Sequence, residues 1–379
     1  MMKKAFRKTI CAAAALIMAI GCTSCGKKNI EQSDVSSGTT TAAVTNATEA
    51  AAPAEEEPAQ TEAAKKKAKK TVKKENYNQL TGLYDVADSA KGKRPCAVMV
   101  NNIEASLPQY GIYDADILFE IVAEGGITRL MAIYADESDI PNVCSIRSAR
   151  YYYMLFAQSF DAVYLHWGSD PKVCRPMFTE LDIDHIDGMS DTVIFDRDYD
   201  RMNYYDMEHT GYLNGSAVMG DIESYGYRTE IKDGYESIFS FYDEFTKPAG
   251  DECTKAVITF SDWYYSQFDY DKKSKTYKKL HNGSKHMDIG KDKQLEFTNL
   301  LFLDVPEIKE INEDSHIVGF DMDGGSGYLI TAGKKKSINW RKDGDFGKLI
   351  ITDDNGSPVE MNVGKTYIAV AEANALSTS

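Results

Sequence analysis

Residues 117–134 read ILFEIVAEGGITRLMAIY, and this stretch decides the architecture of the region around it. Two β-rich runs, residues 117–123 and 127–134, lie on either side of Glu124-Gly125-Gly126. The glycines are a turn signal, so the stretch predicts a β-hairpin. Apolar residues alternate along the first run, and both of its carboxylates, Glu120 and Glu124, are therefore predicted on the less apolar face of that strand.

The sequence outward from this hairpin predicts alternating strands and helices. Residues 95–100 form a short apolar run that is typical of a buried strand. After the hairpin, the patterns predict a helix, a strand and two more helices at residues 151–160, 162–167, 171–181 and 216–224. Alternation of this kind favours a mixed α/β domain, which we assign to residues 77–230.

Beyond about residue 232 the helix signals thin out and strand signals dominate. Strand-like runs lie at residues 255–260, 295–305, 316–322, 327–331, 337–340, 348–351 and 366–371. Turn signals such as Asn282-Gly283 and Asn355-Gly356 separate them. We therefore predict an α+β fold, in which the mixed α/β domain is followed by a mostly antiparallel β domain over residues 231–379.

The first 21 residues have the composition of a signal peptide. A cationic start is followed by an apolar run at residues 10–20, far short of the ~20 residues that a membrane-spanning helix needs. Ala19-Ile20-Gly21-Cys22 resembles the lipobox of bacterial lipoproteins, so Cys22 is the predicted lipidated residue and Cys25 the alternative. An ordinary signal peptide with an incidental cysteine is the other interpretation. The prediction is a lipid anchor on the extracytoplasmic face of the bacterial cytoplasmic membrane.

Residues 22–76 are rich in Ala, Thr, Ser, Glu and Lys. Such a stretch buries too little apolar surface to offset its conformational entropy, and it is predicted to be a disordered tether. The basic run at residues 65–74 is interpreted as part of a solvated linker. The alternative is contact with an anionic membrane or wall polymer.

The charge is distributed unevenly along the 379 residues. The formal net charge is -15, of which the signal peptide carries +4 and the tether +1, so residues 77–379 hold -20. So acidic a folded region argues against a nucleic-acid partner. Only 6 histidines without regular His/Cys spacing argue against a structural zinc site, and we predict neither a metal nor a cofactor.

Chemistry-bearing side chains concentrate in one window of the first domain, residues 120–170, and almost all of them lie at the ends of predicted elements. They are Glu120, Glu124, Arg129, Arg147, Ser148, Arg150, His166 and Asp170. If a helix begins near Ser148, Arg147 and Arg150 can face the same anion, because arginine binds carboxylate and phosphate in a planar, bidentate manner. The alternative is that these arginines pair with Glu120, Glu124 or Asp170 and only stabilise the fold.

An enzymatic interpretation uses the same window. His166 is a candidate general base near neutral pH, with Glu120 or Glu124 as its acid partner. The alternative is a structural histidine. Ser148 lacks the Gly-x-Ser-x-Gly context of a nucleophile and is predicted to be a helix N-cap.

Two further motifs have structural interpretations. Asp321-x-Asp323-Gly324-Gly325 has calcium-ligand residue types without EF-hand spacing, and it is predicted to be a turn. Cys96, Cys144, Cys174 and Cys253 are the cysteines of the folded region, and the sequence leaves open whether they pair or stay buried thiols.

The combined motifs resemble the YerB-type family of bacterial lipoproteins. They lie at residues 94–102, 115–117, 123–129, 147–150, 161–168, 338–342 and 362–368, and the resemblance covers nearly all of residues 80–372. Cys144-Ser145 stands where the family pattern usually has Gly-Pro. The resemblance implies a two-domain lipoprotein of unknown function and supplies no catalytic residues.

Three functional hypotheses follow. The first is an envelope protein that binds an anionic, wall-derived ligand at Arg129, Arg147, Arg150 and His166, with Ser148 and Asp170 also predicted to take part. The second is a glycan-directed hydrolase that uses Glu120 or Glu124 with His166. The third is a non-enzymatic scaffold that docks an envelope protein through aromatic surface, suggested by the 23 tyrosines.

Overall fold

The computed structural model describes residues 76–379. The predicted signal peptide, Cys22 and nearly all of the tether lie outside the described residues. The helices are α1 (Tyr151–Ser159), α2 (Cys174–Glu180) and α3 (Val218–Ser224). Within the described range, none of the helices is long and apolar enough to cross a membrane.

Strands dominate the described residues. In chain order they are β1 (Cys96–Asn101), β2 (Ile117–Val122), β3 (Thr128–Tyr134), β4 (Val143–Cys144), β5 (Val163–His166), β6 (His185–Asp187), β7 (Phe195–Arg197), β8 (Gly211–Leu213), β9 (Ser240–Phe241), β10 (Asp251–Glu252), β11 (Lys255–Ser261), β12 (Tyr264–Asp271), β13 (Thr276–His281), β14 (Ser284–Lys285), β15 (Met287–Asp288), β16 (Lys293–Gln294), β17 (Glu296–Phe297), β18 (Asn299–Val305), β19 (Lys309–Asn312), β20 (Ile317–Gly319), β21 (Gly324–Thr331), β22 (Lys334–Lys342), β23 (Leu349–Thr352), β24 (Glu360–Met361), β25 (Thr366–Glu372) and β26 (Leu376–Thr378).

One large sheet joins strands from both parts of the chain. Its order is β10-β22-β21-β18-β25-β2-β3-β1-β5-β6, with β23 paired to β22. The predicted hairpin forms as β2 and β3, which pair antiparallel. The α+β class is confirmed, since helices are few and the strands of the C-terminal region pair mostly antiparallel. The domain boundary at residue 230 stays a prediction, and the sheet crosses it.

Both faces of the large sheet are covered. Every residue of β1, β2 and β3 is buried. Phe119 and Ile121 of β2 pack in one core cluster with α1, whereas Leu118 packs in a second cluster with β12 and β13. Side chains of a strand alternate between faces, so Glu120 lies on the Leu118 face. That face is covered by a second sheet, and Glu120 is 1% exposed.

The second sheet has the order β14-β13-β12-β11-β26, with β17 paired to β13. The sequence analysis does not predict strands β12 and β13. Their buried residues alternate strictly, but several of these residues are polar: Ser266, Lys279 and His281. An inward face with polar residues hides the apolar period on which strand prediction depends.

The start of helix α1 differs from the prediction. The N-cap position belongs to Arg150, whose backbone is extended at φ -132 and ψ 141. Ser148 therefore lies two residues before the N-cap, and the prediction that it caps the helix is wrong. Arg147 and Arg150 also do not share a helix face.

The four cysteines of the described region are free, buried thiols. Burial raises the pKa of Cys174 to about 11 and that of Cys253 to about 11. Since the thiolate is the reactive form, these side chains behave as small apolar groups of the core.

Candidate functional site

The predicted site residues separate into distinct environments. Glu124, Arg129 and Arg150 contact one another, and we call these three residues the arginine cluster. Arg147 reaches the surface beside them, His166 lies beneath the neighbouring loop, and Glu120 belongs to a buried network on the other side of the hairpin.

The arginine cluster is centred on one carboxylate. Arg129 Nη2 donates to Glu124 Oε1 at 2.6 Å, and Arg150 Nε donates to Glu124 Oε2 at 2.9 Å, while Arg150 Nη2 also contacts Oε1. Arg129 Nη1 donates to the Ser148 carbonyl, and Arg150 Nη1 donates to the Ala149 carbonyl at 2.6 Å. Arg129 Nε is buried and has no hydrogen-bond partner. The cluster thus fixes the 148–150 segment to the hairpin turn.

The two arginines of the cluster hold Glu124 in its ionised form. Burial by itself raises the pKa of Glu124, but the charges of Arg129 and Arg150 outweigh it and lower the pKa to about 2. Burial, together with the nearby charge of Arg150, lowers the pKa of Arg129 to about 10. Glu124 therefore stays ionised at neutral pH, which is unfavourable for a general acid.

The turn of the hairpin places Glu124 just beyond the end of β2. Gly125 and Gly126 have φ of 68 and 73, a left-handed conformation that favours glycine. Ser261 Oγ donates to the Gly126 carbonyl at 2.7 Å, so the turn is held from the C-terminal region. The indole of Trp263 borders this turn and is 62% exposed. Its Nε1 lies 3.5 Å from the place that a Cβ would occupy if residue 126 were not a glycine.

Arg147 points away from Glu124. Its Nη2 donates to Glu208 Oε2 at 2.7 Å, and the side chains are 28% and 57% exposed. The backbone of Arg147 is fixed, since its N–H donates to the Met99 carbonyl at 3.0 Å and its carbonyl accepts from Trp167 N at 3.1 Å. Sequence reasoning missed Glu208, which is 61 residues away along the chain.

His166 is completely buried and holds a loop in place. A carbonyl only accepts, so Nδ1 must carry the proton that is donated to the Gly168 carbonyl at 2.9 Å. Nε2 then accepts from His185 Nδ1 at 3.0 Å. Burial lowers the pKa of His166 to about 4, so the ring is neutral. His185, which the sequence analysis missed, lies at the solvent side of this pair, and the geometry favours a positioning role for His166.

Asp170 and Ser148 lie at the edges of the same region. Asp170 Oδ1 accepts from Lys172 N at 2.9 Å and Val173 N at 2.6 Å, which shapes the turn before α2. Oδ1 is thereby committed to backbone. Burial raises the pKa of Asp170, but the hydrogen bonds from the backbone and from Ser315, together with the charge of Arg150, lower it below its ordinary value. Ser148 is partly exposed, and its Oγ is 3.5 Å from the position of a Cβ built on Gly168.

Glu120 belongs to a closed ring of buried side chains, which we call the buried ring. Its members are Asn102, Gln109, Glu120, Lys279 and His286. Around the ring the contacts are Asn102 Nδ2 to Glu120 Oε1 at 3.1 Å, Gln109 Nε2 to Asn102 Oδ1 at 3.3 Å, His286 Nε2 to Gln109 Oε1 at 2.9 Å, Lys279 Nζ to His286 Nδ1 at 3.1 Å and Lys279 Nζ to Glu120 Oε2 at 3.1 Å. The ring connects the large sheet to the second sheet.

The charges of the buried ring are fully paired. Thr128, Ser266 and Tyr367 each donate to Glu120 at 2.8 Å. Lys279 Nζ has three acceptors, namely Glu120, Ser266 Oγ at 2.8 Å and His286 Nδ1. Burial lowers the pKa of Lys279, and Glu120 opposes that effect. A carboxylate saturated in this way has no route to a substrate.

The structure therefore brings together only part of the predicted set. Glu124, Arg129 and Arg150 converge, with Ser148 at their edge, whereas Glu120 and His166 lie in separate buried networks. Within residues 76–379, no group of three or more His, Cys, Asp or Glu side chains is arranged to hold a metal ion. The catalytic and ligand-binding roles of these residues stay predictions.

Two family models match the chain. Residues 80–228 match the N-terminal domain of DUF3048, a protein family of unknown function, and residues 256–368 match its C-terminal domain. The two matches lie in the order of the predicted α/β and β regions. They include the hairpin, the arginine cluster and both partners of the buried Glu120–Lys279 pair.

Relatives with sequence and structural similarity are known from Bacillus subtilis (strain 168). The chain is 27% identical over 296 residues to a protein named "Putative lipoprotein YerB", covering 77% of this chain and 85% of that protein. The crystal structure of the YerB protein from Bacillus subtilis is similar with a TM-score of 0.68 and 25% identity, covering 80% of this chain and 99% of that one. The similarity thus extends over both matched regions.

Proposed function

The chain belongs to the YerB-type two-domain family, whose function is unknown, and from that premise we propose a lipid-anchored protein that binds an anionic polymer of the cell envelope. The name of the Bacillus subtilis relative supports the lipoprotein part of the proposal. The lipobox-like sequence that ends in Cys22 supports it independently. The anchor is proposed to hold the protein at the extracytoplasmic face of the membrane.

The observation that carries the binding proposal is the exposure of Arg147. Its guanidinium lies beside the arginine cluster and pairs with Glu208, which is itself more than half exposed. An exposed ion pair of this kind contributes about 0–1 kcal/mol, so Glu208 exchanges readily for a carboxylate or phosphate of a ligand. The backbone of Arg147 stays fixed in the meantime, which limits the entropic cost of binding.

The guanidinium groups around Arg147 already have acidic partners. A ligand anion would therefore bind by displacing a carboxylate rather than by entering an empty cationic pocket. Arg129, Arg147 and Arg150 lie near Glu124, Glu208 and Asp170, so carboxylates and guanidinium groups are equal in number. The buried Arg129 Nε without a partner leaves one donor of the cluster unsatisfied. Trp263 adds an exposed aromatic face next to the glycine turn. A ligand anion would take the place of a carboxylate here.

The hydrolase hypothesis has less support. Glu120 is buried and ion-paired with Lys279, the pKa of Glu124 is lowered to about 2, and His166 is fully buried. A general acid must hold a proton at the working pH and reach its substrate. Glycan cleavage by this chain would therefore need residues other than these three.

The test measures binding of the full mature chain to purified teichoic acid. Arg147→Gln is expected to weaken binding about tenfold, because a charge-assisted hydrogen bond contributes about 1.5–3 kcal/mol. Glu208→Gln is expected to strengthen binding, since it removes the competing carboxylate. The matched control is Arg341→Gln, an exposed arginine paired with Asp343 in the C-terminal region.

Equal affinities for the wild type, Arg147→Gln and Arg341→Gln would contradict the binding proposal. Release of soluble products from peptidoglycan or teichoic acid, lost in Glu124→Gln, would instead support the hydrolase alternative.

A further inference from the structure

A loop beside Arg147 exposes a concentration of large apolar side chains. Residues 198–210 connect β7 to β8 and present Tyr199, Met202, Tyr204 and Met207 at 67%, 39%, 85% and 61% exposure. We call these residues the 198–210 loop. Large apolar side chains that are exposed together on one loop are typical of interaction sites.

The loop is rigidly held, so the exposure is not a consequence of poor packing. Arg201 is 6% exposed and donates to the carbonyls of His209, at 3.1 Å, and Ser106. The guanidinium also stacks on Tyr205 at 3.9 Å from the ring centroid. Asp198 accepts from Arg201 N and from Tyr110 Oη, both at 2.9 Å. Polar contacts therefore fix the backbone while the apolar side chains remain in solvent.

The exposed charges of the loop and its flanks are predominantly negative. Asp196, Asp200, Asp206 and Glu208 are exposed, and of these Glu208 is paired with Arg147. The arginines of the same stretch are committed elsewhere, because Arg201 is buried and Arg197 lies over the Trp167 ring at 4.3 Å. The surface thus combines aromatic rings and methionines with carboxylates.

We propose that the 198–210 loop is the docking surface for a basic segment of another envelope protein. Charge complementarity selects this occupant, since lysine or arginine side chains can lie on the faces of Tyr199 and Tyr204 while pairing with the carboxylates. Apolar side chains of the same segment pack on Met202 and Met207, because methionine adapts to varied partner surfaces. The rigid backbone lowers the ordering cost of the complex.

The test uses the full mature chain and a fluorescent synthetic peptide of alternating lysine and leucine. The double variant Tyr204→Ala, Asp206→Asn is expected to weaken binding at least about tenfold, the effect typical of a central aromatic residue in an interface. The matched control is Phe346→Ala, Asp345→Asn, which removes an exposed aromatic ring and a carboxylate elsewhere. A peptide of alternating glutamate and leucine is expected not to bind.

Equal losses in the two double variants, or equal binding of the glutamate peptide, would overturn the proposal. A further variant replaces the lysines of residues 65–74 with glutamine in the full chain. Unchanged peptide affinity supports a separate partner, whereas a clear increase would show that the basic run of this chain occupies the loop and would overturn the assignment to another protein.

Discussion

The arginine cluster and the buried ring each pair a glutamate with basic side chains, but the two carboxylates end in opposite environments. Each is built on a glutamate of the β2–β3 hairpin, and Glu120 and Glu124 are only four residues apart. Glu120 lies within β2 beneath the second sheet and is saturated by five donors. Glu124 lies in the turn, its side chain is 24% exposed, and its cluster keeps an unpaired donor. Position along the strand therefore separates a structural ion pair from a candidate site.

The largest expected effect comes from breaking the buried ring. Lys279→Met leaves Glu120 buried without its cation, and loss of one partner of a buried ion pair costs about 3–5 kcal/mol. We expect a decrease of that size in the free energy of unfolding, measured by urea denaturation.

The double variant Glu120→Gln, Lys279→Met tests the physical reason. Thr128 and Tyr367 donate to different oxygens of Glu120, so the single carbonyl oxygen of glutamine keeps only one of these hydrogen bonds. The amide carries no charge, however, so a large part of the lost stability should return. If the double variant is as unstable as Lys279→Met, the uncompensated charge is not the cause.

The second-largest expected effect is a pH dependence of the free energy of unfolding that comes from the arginine cluster. The pKa of Glu124 is about 2 in the folded chain against 4.5 ordinarily, so the unfolded state binds more protons between these values. Ionised Glu124 contributes stability of about 3 kcal/mol, fully present above pH 4.5 and lost as pH falls toward 2.

Glu124→Gln isolates this contribution from that of other carboxylates. The difference in free energy of unfolding between the wild type and Glu124→Gln should be widest above pH 4.5 and should narrow toward pH 2. A constant difference across this range would mean that the arginines do not lower the pKa of Glu124. Lys279→Met, in contrast, is expected to lower the free energy of unfolding at neutral pH, because it removes a buried cation. The two variants therefore distinguish the buried ring from the arginine cluster.

The smallest expected effect is a change in local opening of the structure. The alkylation rates of two buried thiols, Cys174 and Cys253, report it. Cys174 Sγ donates to the Ala149 carbonyl at 3.6 Å beside the arginine cluster, and the Cys253 carbonyl accepts from Tyr277 at 3.0 Å beside the second sheet. Glu124→Gln should increase the alkylation rate of Cys174 about fivefold, equivalent to about 1 kcal/mol of local opening, and should leave Cys253 unchanged.

Lys279→Met should have the reverse effect on the two thiols. Peptide mass spectrometry after timed alkylation measures both rates in the same sample. Equal acceleration of Cys174 and Cys253 in either variant would indicate that the two regions open together.

The sequence predicts those elements whose buried face is apolar. Strands β1, β2, β3 and β5 and the three helices follow from apolar runs and turn residues, because burial imposes a visible period. Strands β12 and β13 escape this reasoning because Ser266, Lys279 and His281 face inward.

The candidate site is predictable only in part, for a related reason. Glu124 and Arg129 flank one turn, so their proximity follows from the sequence. The pairing of Arg150 with Glu124 is one of the alternatives that the sequence leaves open. Glu208 and His185 reach Arg147 and His166 from separate elements. Such pairings depend on tertiary packing, and no local pattern encodes them.

The position of β25 has a consequence for the order in which the large sheet can form. β25 lies between β2 and β18 and pairs parallel with both, and six of its seven residues are buried. The middle of the large sheet is therefore closed by a strand that lies far from β2 along the chain, since Ile117 pairs with Thr366. Until Thr366–Glu372 is in place, β2 and β18 each lack one neighbour, and pairing over so long a sequence separation is intrinsically slow. Insertion of β25 is therefore expected to limit the rate at which the two halves of the sheet join.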